Sequence, residues 1–494
     1  MRLRKIVRIY DRIKRQAAAA FEADDLALSL SRISTACELA YQFNWIYADH
    51  ELEGLTARIA RRLLPEPGTY VPRPGRVVFY DSFAWANRGL TQQYIRALMS
   101  RGAELLFVYD GSNPASTRTV ADEIGAYAEG EFYAVDTSLP QTEQILALRE
   151  KIAGFAPEKA FIHVTPWDAV GVAVWHLLPA TTRYWVNLTD HAFWLGARCL
   201  DYSLEFRPYG CTVSEERRGL SRGQLLTAPY YPILDCRPFA GFPPEVTSQN
   251  IVVFTGGNFY KMYGRGQLFL RLLERLAGLD ERVVVLVAGG GDSKPLRRFV
   301  KRRKLERRIL LIGSRPDINH VFSHSDIYLS TYPIAGGLMA QFAAANRKPI
   351  LAYSDPGRAC NSVSSLLVWG DRPLEEVTSA TVEEFTERAR RLVADPAFRR
   401  SEGEKAHAHL ISPAEFAERL FSLTTRNRDD RPPERVRIDY RDFTSVYLEI
   451  QKRYINVAGE LLWRTYGWRA AAMAPGATAR HVFAAIRRKF TIFT

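Results

Sequence analysis

The stretch between residues 251 and 352 constrains the fold of this chain more than any other part of it. Short apolar segments alternate there with helix-like segments, and each apolar segment runs into small residues. The first of them, IVVFTGG, ends in two glycines and is followed closely by Lys261. Strands that alternate with helices predict a parallel sheet, and loops at the carboxyl ends of such strands are places where nucleotides bind.

A similar alternation begins earlier in the chain. RVVFYD opens it at 76–81, and four more strand-like segments follow, namely ELLFVYD (104–110), GEFYAVD (130–136), KAFIHVTP (159–166) and RYWVNLTD (183–190). Linkers with proline and glycine lie at 65–75 and 239–249. We therefore predict an α/β protein with two Rossmann-like domains, at 75–238 and 250–425, that face each other across a cleft.

Both ends of the chain predict helical extensions. Residues 1–74 are mostly rich in alanine, leucine and arginine, and residues 436–494 mix aromatic with basic side chains after a polar break at 424–435. The amino terminus is basic but lacks the apolar core of a signal peptide. No run of about 18 apolar residues predicts a transmembrane helix.

The formal net charge of +13 predicts an anionic partner, such as a nucleotide or a phospholipid. The run PLRRFVKRRKLERR at 295–308 is typical of a solvated helix face and, alternatively, of contact with anionic lipid headgroups. Nucleic acid is not expected as a partner, because aromatic and basic residues are not interleaved on one recognisable module. The five cysteines form no CxxC pair, which argues against a zinc site and favours a reducing cytoplasm.

Candidate donor-binding residues follow the strands of the second series. Lys261 comes just after the turn at Gly257, where a cation can neutralise a diphosphate, and Arg265 is a second candidate four residues on. The backbone amides of Gly336 and Gly337, at the start of a helix, can cradle phosphate oxygens. A solvated lysine and a plain tight turn are the alternatives for these positions.

Two further candidates follow the strand RILLIGS. Arg315 comes directly after it and His320 lies on the next short helix, so either can frame a nucleotide base or ribose. A purely structural histidine is the alternative for His320. The three glycines at 289–291 lack the GxGxxG spacing and predict only a turn from strand to helix.

The segment at 187–210 carries the candidates of the first series. Asp190 and His191 end a strand, so both are predicted to face the cleft, where a carboxylate or an imidazole can act as general base for a hydroxyl. A capping aspartate with a packed histidine is the alternative. Arg88 and Gly89, which follow the first strand, are predicted to line the acceptor side of the same cleft.

On these residues, the chain resembles the GT-B glycosyltransferases, two-Rossmann-domain transferases of nucleotide-activated sugars, over roughly 76–425. Three segments are similar to the O-GlcNAc transferase branch, namely GNFYKM (257–262), RPDINHV (315–321) and FWLGARCLDY (193–202). The resemblance implies a diphosphate role for Lys261 and a base or ribose contact for His320. It also implies that no metal is needed, because a lysine and a helix dipole can neutralise the leaving group.

The chain departs from that family at several positions. Where the O-GlcNAc transferase branch has a Gly-His-Thr-Thr phosphate loop, this chain has GGLM at 336–339, and the branch's tandem helical repeats are not evident. The two glutamates of the retaining GT-B group are not matched, because Pro333 and Gln341 occupy comparable places. The missing glutamates favour inversion of the anomeric configuration.

Together these observations predict a cytoplasmic hexosyltransferase, peripheral at the inner face of the plasma membrane, that serves polysaccharide biosynthesis in the cell envelope. Its predicted partners are a nucleotide-diphosphate sugar as donor substrate, a glycan or lipid-linked acceptor, and an anionic membrane surface. No cofactor and no metal are expected. Two alternatives stay open: a sugar-nucleotide epimerase of the same fold, and a non-catalytic GT-B subunit that scaffolds a glycan-synthesis complex.

Overall fold

The computed structural model describes a chain built around two parallel sheets. The residues it describes are 3–66, 68–83, 90–112, 114–234, 237–355, 363–367, 377–431, 435–454 and 456–491. Helices lie between the strands of each sheet, and further helices form both ends of the described chain. The predicted two-sheet α/β architecture with helical ends is therefore confirmed. Arg88 and Gly89, predicted to line the acceptor side, lie outside the described residues.

Three helices precede the first sheet: α1 (Leu3–Glu22), α2 (Leu26–Phe43) and α3 (His50–Leu63). The carboxylates of Asp25 and Asp49 cap α2 and α3, which satisfies amides that have no partner inside a helix. Apolar side chains of all three helices pack in one core with side chains of the first sheet. The amino-terminal helices and this sheet therefore bury their apolar surfaces together.

The first sheet has seven parallel strands in the order β3-β2-β1-β4-β5-β6-β7. The strands are β1 (Arg73–Asp81), β2 (Glu104–Tyr109), β3 (Gly130–Ala134), β4 (Pro157–His163), β5 (Thr182–Asn187), β6 (Tyr202–Glu205) and β7 (Leu225–Thr227). The helices between them are α4 (Leu90–Met99), α5 (Pro114–Gly125), α6 (Gln141–Phe155), α7 (Ala169–His176) and α8 (Pro208–Arg218). The sequence pattern does not predict β6 and β7, since they have only four and three residues.

The second sheet has six parallel strands in the order β10-β9-β8-β11-β12-β13. The strands are β8 (Ile251–Gly256), β9 (Val283–Ala288), β10 (Ile309–Gly313), β11 (Ile327–Leu329), β12 (Ile350–Tyr353) and β13 (Thr378–Ser379). The helices that follow are α9 (Leu268–Ala277), α10 (Lys294–Arg302), α11 (Ile318–Ser323), α12 (Gly337–Ala345), α13 (Val382–Ala394), α14 (Pro396–Ala408) and α15 (Pro413–Arg426), and the last of these packs on the core of the first sheet. The strand order reverses at β8, so a crevice opens at the carboxyl ends of β8 and its neighbours.

The carboxyl-terminal helices are α16 (Tyr440–Arg453), α17 (Val457–Tyr466), α18 (Ala470–Met473) and α19 (Pro475–Thr491). α16 bridges the two halves of the molecule. The hydroxyl of Thr444 donates to the carbonyl of Asn44 at 2.8 Å, and the carboxylate of Glu449 accepts from the amide of Arg265 at 3.0 Å. Among the described helices, none combines the length and the apolar character needed to span a membrane.

Candidate active site

Two glycines allow the ends of β8 and β9 to approach each other closely. Gly257 follows β8 and Gly289 follows β9, with φ angles of 143° and 149°. A Cβ atom on Gly289 would lie 1.9 Å from the carbonyl oxygen of Gly257, which is closer than any side chain can approach. The amide of Gly257 donates to the carbonyl of Ala288 at 3.1 Å. Glycine is therefore required at 289 for close packing of the two loops.

Lys261 lies beside this close approach. It belongs to the 3-10 turn Phe259–Met262 and is half-buried. Its Cδ lies 3.9 Å from the position that a Cβ of Gly257 would take, and its carbonyl accepts from the amide of Ile334 at 3.4 Å. The structure thus brings Lys261 together with Gly257 and with the segment between β11 and α12. The diphosphate role of this group stays a prediction.

The amino end of α12 adjoins the same loop. A Cβ on Gly256 would meet the methyl group of Met339 at 2.9 Å, so the end of β8 and the first turn of α12 are neighbours. Gly336 precedes α12, and no side chain of the described residues caps this helix. The first amides of α12, which begins at Gly337, are left without a side-chain acceptor, and the positive end of the helix dipole lies there. This arrangement suits an anion, as the glycine pair predicts.

Arg265 contacts helix α16. Its guanidinium forms an ion pair with Asp442 of α16, and its amide donates to Glu449 of the same helix. These contacts dock α16 on the second half of the molecule. Asp442 thus competes with a donor for the charge of Arg265, and donor binding by Arg265 stays a prediction.

Arg315 holds the linker between the two sheets. It forms a bidentate ion pair with Asp317, at 2.7 and 2.5 Å, and donates to the carbonyl of Gly241 at 2.8 Å. Asp317 in turn accepts from the amide of Ala240 at 2.8 Å. These contacts give Arg315 a structural role, and its contact with the nucleoside stays a prediction.

His320 lies near the same linker. Its ring centroid is 6.4 Å from the ring of Phe239, which stacks on His324 at 4.0 Å. His320 is half-buried on the short helix α11, close to the end of the strand before it. Its contact with a base or ribose stays a prediction.

The backbone that presents His191 is held by two buried side chains. Asn44 donates to the carbonyl of His191 at 2.6 Å, and the guanidinium of Arg218 donates to the carbonyls of Asp190 and Ala192 at 3.0 and 2.6 Å. Asn44 and Arg218 are 0% and 2% exposed. The His191 side chain nevertheless keeps 28% of its surface exposed. The fold therefore restrains this loop and leaves the imidazole accessible.

Asp190 is fully buried in an ion pair with Arg207, with N···O distances of 2.5 and 3.0 Å. Burial by itself would raise the pKa of Asp190, but the charge of Arg207 and hydrogen bonds from His191 and Arg207 outweigh it, and that pKa lies well below its ordinary value. An enclosed carboxylate in such an ion pair is a weak base, so the structure favours His191 of the two candidates, and the Nδ1 of His191 lies 3.3 Å from Asp190 Oδ1. The assignment of either residue as the base stays a prediction.

Helix α16 connects His191 with the loop of Lys261. The ring of Phe443 meets the His191 ring edge-on at 6.0 Å and 84°. Phe443 also belongs to a small apolar cluster with Ile334, whose amide bonds to Lys261. Phe443 therefore lies close both to His191 and to the loop of Lys261, in the cleft between the two halves.

The segment that resembles the WLG motif packs inside the first domain. Trp194 stacks on Trp185 with ring centroids 5.0 Å apart. A Cβ on Gly196, whose φ is 120°, would lie 2.1 Å from the Trp185 ring, so glycine is needed there. Glu53 of α3 accepts from the amides of Gly196 and Ala197 at 2.7 and 3.0 Å. These contacts give the motif a packing role.

Three carboxylates gather at the carboxyl ends of the first strands. Asp81 accepts from Thr91 at 2.7 Å, and Asp168 caps α7 through the amide of Gly171 at 2.7 Å. Burial raises the pKa of Asp110 to about 7, with hydrogen bonds to Ser112 opposing it and the charges of Asp168 and Asp81 adding to it. No group of three or more His, Cys, Asp or Glu side chains in the described ranges is arranged to hold a metal ion.

Comparisons with known proteins identify the fold. No protein-family model matches this chain, and a search of curated proteins finds no match. The structure is similar to that of Anabaena HepE in complex with UDP and glucose, at 11% identity and a TM-score of 0.52, over 71% of this chain and 99% of HepE. It is also similar to a mutant O-GlcNAc transferase of Thermobaculum terrenum, at 18% identity and a TM-score of 0.53, over 88% of this chain and 82% of that one.

A third similar structure is a TarM mutant of S. aureus in complex with Fondaparinux, alpha-GlcNAc-glycerol and UDP. It is 10% identical, with a TM-score of 0.51, over 70% of this chain and 99% of TarM. Identities this low show the fold alone. The chain has the GT-B fold, as the resemblance of its motifs predicts.

Sequence reasoning missed four residues of this cleft. Asn44 and Arg218 hold the His191 loop, Phe443 covers its ring, and Tyr230 lies at the amino end of α12. Each lies far along the chain from its partner, so no local spacing could have indicated it. A fully buried arginine in an α/β domain becomes informative only once its partners are known.

Proposed function

We propose that this protein is a glycosyltransferase of the hexosyltransferase type, which moves a sugar from a nucleotide-diphosphate sugar to a hydroxyl of a glycan or lipid-linked acceptor. The observation that carries the proposal is one cleft with an uncapped helix end and Lys261 on one side and the accessible imidazole of His191 on the other. The HepE complexes with UDP and with UDP-glucose support a UDP-sugar as the donor.

In this proposal the donor diphosphate lies between Lys261 and the amino end of α12. The ammonium group and the helix dipole both offset the negative charge that develops on the leaving diphosphate, so the reaction proceeds without a metal. Gly257, Gly336 and Gly337 keep the backbone clear of side chains where the phosphates approach.

His191 is the proposed general base. The acceptor oxygen attacks the anomeric carbon, the bond from that carbon to the diphosphate oxygen breaks, and the hydroxyl proton passes to His191. A proton on Nδ1, directed at Asp190, leaves Nε2 as the accepting nitrogen. Asp190 and Arg207 thus orient the base. A single displacement of this kind inverts the anomeric configuration.

Nucleotide binding tests the proposal directly. Purified protein is expected to bind UDP in isothermal titration calorimetry, and Lys261→Ala is expected to weaken binding at least tenfold, because one charge-assisted contact contributes about 1.5–3 kcal/mol. Lys301→Ala, a change to an exposed lysine of α10, is the matched control and should leave the affinity unaltered. If uridine, guanosine, adenosine and thymidine diphosphates all fail to bind, the proposal is wrong.

Product analysis separates transfer from the alternatives. A transferase releases UDP from a UDP-sugar faster when an acceptor is added, whereas an epimerase changes the sugar of the UDP-sugar without any acceptor. A scaffold subunit does neither. Loss of acceptor-dependent UDP release in His191→Gln, with UDP binding retained, would assign the base.

The proposed pathway is polysaccharide synthesis in the cell envelope, on the cytoplasmic side of the membrane. The presence of alpha-GlcNAc-glycerol and UDP in the TarM complex supports an acceptor of glycan type. The net charge of +13 supports activity of the enzyme near an anionic membrane surface.

A further inference from the structure

The hydroxyl of Tyr230 lies at the amino end of α12. Tyr230 follows β7, at the end of the first half of the chain, and is only 7% exposed. A Cβ on Gly337 would lie 2.6 Å from the Tyr230 hydroxyl oxygen. Within the described residues this hydroxyl has no hydrogen-bond partner. The residue is largely buried, and its hydroxyl lies beside a helix end that no described side chain caps, so it is placed to donate to an anion held there.

The surroundings hold Tyr230 in place. Gln341 of α12 donates from its Nε2 to the backbone carbonyl of Tyr230 at 2.8 Å. The ring meets the ring of Phe206 edge-on at a centroid distance of 4.9 Å. These contacts involve the backbone carbonyl and the ring of Tyr230. They therefore fix the position of the side chain and leave its hydroxyl available to another partner.

The protonation state of Tyr230 suits a donor. Burial raises the pKa of Tyr230 well above its ordinary value, while the charge of Arg207 lowers it and that of Asp190 raises it to smaller extents. The hydroxyl therefore stays neutral at physiological pH and keeps its proton for an anionic acceptor.

We propose that the Tyr230 hydroxyl donates a hydrogen bond to a diphosphate oxygen of the nucleotide sugar held at the amino end of α12. The inference rests on the proposed function and deepens it. Leu338 and Met339, the next residues of α12, have no side-chain donor, so a donor from the first half of the chain completes the anion site. Tyr230 thereby couples the donor diphosphate to the half that carries His191.

Titration with UDP and with uridine tests this role. Tyr230→Phe, which removes one oxygen and keeps the ring, is expected to bind UDP about tenfold more weakly and uridine equally well, since uridine has no phosphate. Tyr231→Phe is the control, because the Tyr231 ring packs on Phe416 in the core of the first half. It should bind both molecules as the unchanged protein does.

A second variant tests the proximity itself. Gly337→Ala places a methyl group against the Tyr230 hydroxyl and is expected to weaken UDP binding. The same change is expected to cost less affinity in protein that already carries Tyr230→Phe, because the colliding oxygen is gone. Equal losses in both backgrounds would count against the contact.

The outcomes separate this inference from the proposed function. If unchanged protein binds none of uridine, guanosine, adenosine and thymidine diphosphate, both the inference and the proposed function are overturned. Equal UDP affinity of unchanged protein and Tyr230→Phe would overturn the role of Tyr230 and leave the transferase proposal standing. A Tyr230→Phe variant that loses UDP and uridine binding alike would show a structural role and also overturn the inference.

Discussion

At the residue scale, Asp190 and His191 are neighbours in sequence with opposite environments. Asp190 is enclosed and paired with Arg207, whereas His191 keeps part of its ring exposed. A base has to reach its substrate and change protonation during turnover, and only His191 meets the first condition. In the proposed mechanism, Asp190, held by Arg207, orients the imidazole through the 3.3 Å contact with Nδ1 of His191.

This division of roles predicts different effects of two substitutions. Asp190→Asn leaves the buried guanidinium of Arg207 without a countercharge and is expected to lower the free energy of unfolding by about 3–5 kcal/mol. His191→Gln is expected to change it by less than about 1 kcal/mol, because that ring is partly exposed. Urea denaturation measures both. A stable Asp190→Asn variant would contradict the structural role of the ion pair.

Glu53 predicts a pH dependence of stability. Burial raises its pKa from an ordinary value near 4.5 to about 7, while the amides of Gly196 and Ala197 oppose the shift. The unfolded chain loses this proton before the folded chain does, so stability falls as pH rises from about 4.5 to 7, by about 3 kcal/mol for this group. Glu53→Gln should flatten that part of the profile of unfolding free energy against pH.

The control for this experiment is Glu150→Gln, a change to an exposed glutamate of α6. Its profile should follow that of the unchanged protein. If the Glu53→Gln profile also follows it, the carboxyl of Glu53 ionises normally in the folded state and the prediction is wrong.

At the scale of elements, α16 is what joins the two halves around the cleft. Its Phe443 packs on His191, its Thr444 bonds to Asn44, and its Asp442 pairs with Arg265. Three different kinds of contact on one helix thus connect His191, the end of α2 and Arg265 of the second half.

Arg265 provides the test at this scale. Arg265→Ala is expected to lower the melting temperature, because it breaks the half-buried ion pair with Asp442, and to leave UDP affinity within about twofold. Lys261→Ala is expected to show the opposite pattern, with a retained melting temperature and weaker UDP binding. Scanning calorimetry measures the melting temperatures of both variants, and titration with UDP measures their affinities. A loss of UDP affinity in Arg265→Ala alone would support the prediction that Arg265 binds the donor.

At the scale of the whole molecule, three large apolar side chains of the carboxyl-terminal segment are exposed. Trp468 is 75% exposed, Phe483 67% and Ile486 45%. Tyr466, two residues before Trp468, bonds to Gln16 of α1, a helix that exposes arginines along one side. Contact with an anionic bilayer stays a prediction, and exposed apolar side chains beside basic ones are the groups it would use.

Vesicle binding tests this surface. Trp468→Ser combined with Phe483→Ser is expected to reduce sedimentation with vesicles that contain phosphatidylglycerol, because each exposed ring would otherwise enter the interface. Phe421→Ser, on α15, is the control, since Phe421 is also 46% exposed. Equal sedimentation of all three proteins would argue against the membrane surface.

Much of the fold is predictable from the sequence, and less of the site is. The strands at 76–81 and 251–256 are recognisable because buried parallel strands are continuous apolar runs. The positions of Lys261 and of the glycines follow from those strands. Arg265 and Arg315 have equally suitable positions in the sequence, but Asp442 and Asp317 occupy their guanidinium groups.

The sequence by itself determined the two strand-helix series, their linkers and the glycines that end the strands, because these depend on spacings of a few residues. Only the tertiary structure decided which polar groups meet. Asp190 finds Arg207 17 positions away, and Gln341 finds Tyr230 111 positions away. Pairing and burial depend on distances in space, so whether a group is a base, an ion pair or a phosphate donor is decided by folding.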